Sequence, residues 1–95
     1  MAGVLAKVRT GFAERVTTEV LKQLLEDLLE DRVLNEGEKD SILEENMSRA
    51  DRARALIASV KRKGDDASEK MMGRLQQRDP TLYFELIIKQ GHNTQ

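Results

Sequence analysis

Apolar residues recur three and four positions apart along nearly the whole chain, the period of an α-helix seated on a core, and runs of alternating or β-branched residues that would mark strands are almost missing. Leu5, Val8 and Phe12 place the inward face of a first helix over about residues 2–15. Gly11 sits in its middle, where glycine costs about 1 kcal/mol against alanine, and predicts a bend. Val20, Leu21, Leu24, Leu25, Leu28 and Leu29 then form a wide stripe, leaving Glu26, Asp27, Glu30 and Asp31 outside, with Thr17 or Thr18 as the cap.

Asn35 followed by Glu38 reads as a capping box for a short third helix ending near Glu45, with Ile42 and Leu43 inward. Ser48 followed by Asp51 reads as a second box, opening a fourth helix that buries Ala53, Leu56, Ile57 and Val60 and stops at Gly64. Asp66 with Glu69 starts a fifth helix carrying Met71, Met72 and Leu75 into the core. Asp79 and Pro80 supply the N-cap and first position of a sixth, with Leu82, Phe84, Leu86 and Ile87 inward and an end near Gly91. Connections of about two to five residues force consecutive helices to pack as neighbours, which predicts an all-α, six-helix antiparallel bundle with a kinked first helix. Residues 1–90 form this one domain, followed by a flexible tail over 91–95.

Charge adds what periodicity does not. Residues 17–45 hold ten acids against three bases, a net −7, whereas residues 46–64 hold six bases against Asp51, a net +5. A chain of overall charge −1 thus contains two opposed patches, which suits a surface that binds another copy of itself or a close relative. Part of the basic patch has a local reason, since Lys61, Arg62 and Lys63 sit at the negative end of the fourth helix's dipole. Arg52 and Arg54 have one too, in pairing with Asp51 or Glu44.

Candidate chemistry is sparse. With 95 residues and no cysteine, the chain has no thiolate ligand, nucleophile or disulfide and fits a reducing compartment, the cytoplasm or nucleus. The one histidine, His92, lies in the tail, and neither a phosphate-cradling glycine loop nor a zinc-type histidine pair occurs, so no catalytic, cofactor-binding or metal site is expected. The acids do not follow the alternating calcium-loop pattern. No apolar run reaches membrane-spanning length. A basic fourth helix in a small bundle also fits a helix-turn-helix DNA reader, but the acidic flank repels phosphate, and no nucleic acid or membrane partner is expected.

The stretch Arg32-Val33-Leu34-Asn35, then Glu44-Glu45-Asn46, then Asp51 to Val60 (DRARALIASV) with Lys63-Gly64 following, resembles caspase recruitment domains, most closely the prodomains of inflammatory caspases or their recruitment-domain-only relatives. The resemblance spans about residues 5–88. It implies a death-fold bundle with no catalysis of its own, joining adaptors, sensors and caspases by like-with-like contacts that grow into helical filaments. It further implies a contact between acidic residues of the second and third helices and basic residues of the first and fourth on the next subunit. Carried over by position, the acidic face is Glu26, Asp27, Glu30 and Asp40, and the basic face is Arg9, Arg52 and Arg54. Gly37, early in the third helix, departs from the acidic residue found in relatives and predicts a less stable helix there.

Overall fold

The structure, a computed structural model, describes residues 2–93, with side chains described over 3–88. Six helices and no strand are present among them: α1 Ala2–Arg15, α2 Thr18–Glu30, α3 Glu36–Glu45, α4 Arg49–Arg62, α5 Asp65–Arg78 and α6 Pro80–Asn93. The all-α bundle expected from the apolar period is therefore the architecture observed. α1 lies against α4, α5 and α6, and α2 packs on α5, so that these helices enclose one core. Phe12, Leu24, Leu56 and Leu75 are completely shielded from solvent. Burying a side chain of this size contributes about 1.5–3 kcal/mol.

The helix starts follow side-chain chemistry. Thr17 accepts from the Val20 amide at 3.1 Å, and Asn35 and Glu38 close both halves of the predicted capping box, at 2.8 and 2.9 Å. Ser48 accepts from the Asp51 amide at 3.0 Å, but the Asp51 carboxylate turns to Arg54 instead of completing a box. Asp79 accepts from the Leu82 amide at 3.0 Å, with Pro80 opening α6 as predicted. α5 differs from expectation. It begins at Asp65, one residue early, with Gly64 as an N-cap that offers no side chain, while Asp66 pairs with Lys70 one turn on.

α1 runs as one helix through Gly11 from Ala2 to Arg15. What glycine provides there is room: a Cβ at this position would lie 2.8 Å from Leu86 Cδ2, so α6 approaches the bare backbone. Phe84, expected inward, is 62% exposed. Leu82 and Leu86 are the buried pair four residues apart, and residue 84 is rotated about 200° from Leu82, onto the opposite side of the helix. α6 extends to Asn93, and residues 94–95 of the expected tail lie outside the described residues.

Candidate protein-interaction faces

The acidic positions on α2 divide into two groups. Glu26 and Glu30 are exposed, but Asp27, expected outside, is only 6% exposed. The reason is α5, which carries Arg78 and Arg74 across that side of α2. Arg78 donates to Asp27 through Nε at 2.8 Å and Nη2 at 2.7 Å, a fork that matches the planar carboxylate. Arg74 lies 3.7 Å from the same carboxylate and donates to Asp31 at 2.9 and 2.6 Å and to Glu30 at 3.3 Å. These pairs depress the carboxyl pKa values of Asp27, chiefly through the Arg78 hydrogen bonds, and of Asp31, through Arg74. Both arginines shift upward in return.

On α3, Asp40 is exposed, and Lys39 reaches back to Glu26 on α2, which raises the lysine pKa. Glu38 pairs with Lys63, the residue that caps α4, at 2.8 Å, and that contact together with the Asn35 amide holds its carboxyl below the usual range. Little apolar packing supports α3, for Ile42 is its one buried residue. Between α3 and α4 runs an open groove of about 490 Å³, lined by Glu38 and Ser41 on one side and by Ala55, Ala58, Ser59 and Arg62 on the other.

The three basic positions also differ from one another. Arg9 on α1 is exposed, and Arg54 on α4 keeps 42% of its side chain in solvent while pairing with Asp51 at 2.9 Å. Arg52 is half-buried and turned inward: its Nε donates to Asn46 O at 2.8 Å and its Nη2 to Leu43 O at 2.9 Å, at the C-terminal end of α3. Arg49, which periodicity did not single out, donates to Ala13 O and Val16 O, both at 2.7 Å. Neither role is visible in local sequence, since the carbonyls involved are 6 to 36 residues away along the chain and are brought near by packing.

Among the described residues no cluster of acids and histidines is arranged to hold a metal ion, and no helix is long and apolar enough to cross a membrane. What the surface offers is separated charge. Glu26, Glu30 and Asp40 face outward from α2 and α3, and Arg9 and Arg54 from the packed pair α1 and α4.

Comparison with known proteins gives these faces a context. The profile of the caspase recruitment domain family matches residues 3–88. Caspase-1 of Equus caballus is 40% identical over 88 residues, 93% of this chain and 22% of that protein. Caspase-1-A of Xenopus laevis is 39% identical over 82 residues, covering 86% of this chain and 21% of its own length. Caspase recruitment domain-containing protein 18 of Homo sapiens is 34% identical over 79 residues, 83% of this chain and 88% of that protein. The chain thus spans about a fifth of the caspase-1 sequences it matches, the recruitment domain and not the catalytic part. No solved structure gives a significant match. With six helices in the expected order and a family profile covering nearly all of its length, the chain belongs to the caspase recruitment domain family.

Proposed function

We propose that this domain recruits or oligomerises an inflammatory caspase in inflammasome signalling, acting in the cytoplasm through homotypic contacts with itself and with other caspase recruitment domains. The family is one of homotypic interaction modules, and the observation that carries the reading here is the outward separation of charge. Glu26, Glu30 and Asp40 form one face, and Arg9 and Arg54 form another on different helices. A subunit that offers one face and receives the other makes a heterologous contact, which need not close into a ring and propagates as a filament. Each exposed ion pair contributes about 0.2–1 kcal/mol, so several neighbours act together and assembly is steep in concentration and weakened by salt.

The test is light scattering of the purified chain against concentration at low and high salt, with and without the matching prodomain of caspase-1. Threshold assembly that salt raises, and that sub-stoichiometric chain nucleates in the caspase-1 prodomain, supports recruitment. Suppression of prodomain assembly instead points to a second reading, a decoy that caps such assemblies. That alternative draws on the similarity to caspase recruitment domain-containing protein 18, most of whose length this domain spans. Scattering that is flat for the chain alone and unchanged for the prodomain would contradict both.

A further inference from the structure

Arg49 and Arg52 stand in the first turn of α4, where a cation is opposed by the positive end of the helix dipole. Both are offset by what they reach. The last carbonyls of a helix have no intrahelical donor, and a buried helix end needs partners from elsewhere. Arg49 serves the end of α1, through Ala13 O and Val16 O. Arg52 serves the end of α3, through Leu43 O and Asn46 O, while the Asn46 side chain donates to Ile42 O at 3.0 Å.

For α3 this bond set matters more than for its neighbours. The helix fully buries only Ile42, with Leu43 partly buried against the core, is separated from part of α4 by the open groove, and carries Gly37 in its first turn. Its other long-range ties, Lys39 to Glu26 and Glu38 to Lys63, are at least partly exposed and weakened by salt. Arg52 makes two charge-assisted hydrogen bonds to backbone oxygens from a half-buried position, whereas the Lys39 bond to Glu26 lies exposed.

We infer that Arg52 is a positioning residue for the acidic face: it seats α3, and with it Asp40, and does not itself pair with the neighbouring subunit. The inference rests on reading α3 as part of an acidic face. It separates Arg52 from Arg54, which sits two residues away, points outward and is free to exchange Asp51 for an acid on another subunit.

The experiment is amide hydrogen exchange on dilute, unassembled protein, comparing wild type with Arg52→Gln, Arg52→Lys and Arg54→Gln. Two hydrogen bonds from a charged donor predict that Arg52→Gln speeds exchange of the α3 amides Asp40 to Glu45 by about ten- to a hundredfold. Amides of α1 and α4 keep their protection, which shows that the variant is folded. Arg52→Lys falls between, because an ammonium does not reproduce the planar fork that spans two carbonyls. Arg54→Gln leaves α3 unchanged. In a second arm, Arg52→Glu loses assembly and Asp40→Arg on the neighbour does not restore it. Unchanged α3 exchange in Arg52→Gln, or rescue of Arg52→Glu by Asp40→Arg, would overturn the inference. The exchange arm involves no second subunit, so if no variant or wild type assembles at all, the proposed function fails while the bracing of α3 by Arg52 is still decided.

Discussion

Arg78 closes a two-point fork on Asp27, 2.8 and 2.7 Å, and so ties the last turn of α5 to the last turn of α2. The side chains are 51 residues apart, and the acid is shielded while the base keeps a solvent-facing edge. Removing the acid leaves Arg78 able to turn to water, which limits the loss. Asp27→Ala is predicted to cost about 2 kcal/mol, below the usual range for breaking a fully buried pair. For a domain of this size that lowers Tm by about 8–16 °C. Adding Arg78→Ala to Asp27→Ala should cost less than the sum of the two single changes, as a double-mutant cycle by denaturant unfolding will show.

The same carboxylates set the response to acid. Asp27, Asp31 and Glu38 all have folded pKa values depressed below their unfolded ones. Their contribution is fully present above the ordinary carboxylate values of about 4 and is lost as pH falls through the depressed folded values. Thermal stability is therefore expected to be level with respect to these groups from pH 5 to 8 and to drop progressively below about pH 4. In Asp27→Asn the acid limb of a Tm-against-pH curve should be shallower. Lys39, raised by Glu26, acts in the opposite sense: its contribution holds below its unfolded pKa and fades as pH rises through the folded one.

Gly11 was legible as an anomaly but not as a contact. A glycine in a helix predicts weakness or a bend, and only the distance to Leu86 shows that the missing side chain is what lets α6 close on α1. Gly11→Ala gains about 1 kcal/mol of helix propensity but pushes into a buried leucine, and overpacking costs about 1–3 kcal/mol. A net destabilisation of about 1 kcal/mol is expected, reversed by the additional change Leu86→Val, with chemical unfolding as the measure.

Arg32 occupies the left-handed region, φ 62°, just after α2. Its amide donates to Leu29 O at 3.1 Å and that of Val33 to Leu28 O at 2.9 Å, the paired bonds of a Schellman end, where glycine is the unstrained residue. Arg32→Gly is predicted to raise stability by about 1 kcal/mol. A lower unfolding midpoint for this variant would show that the exposed arginine makes a contribution outweighing its backbone strain.

The helices, their caps and most of the core were readable in the sequence because each depends on residues within a turn or two of one another. Thr17, Asn35, Ser48 and Asp79 all cap where spacing placed them. The faces were less readable, because exposure depends on what crosses a helix. Asp27 and Glu26 are adjacent and chemically alike, yet α5 covers one and leaves the other open. Arg52 and Arg54 look equivalent in the sequence, and only the packing of α3 against the start of α4 turns Arg52 inward. Phe84 shows the same limit for apolar residues, since a strongly apolar helix carries more of them than one buried face accepts.

The most direct test of charge-complementary assembly is sedimentation of Glu26→Arg and Arg54→Glu, each alone and then mixed in equal amounts. Each variant damages one face and keeps the other, so each alone should remain monomeric at concentrations where wild type assembles, and the mixture should form one-to-one complexes that high salt dissolves. Variants that assemble like wild type, or a mixture as inert as its components, would contradict the account.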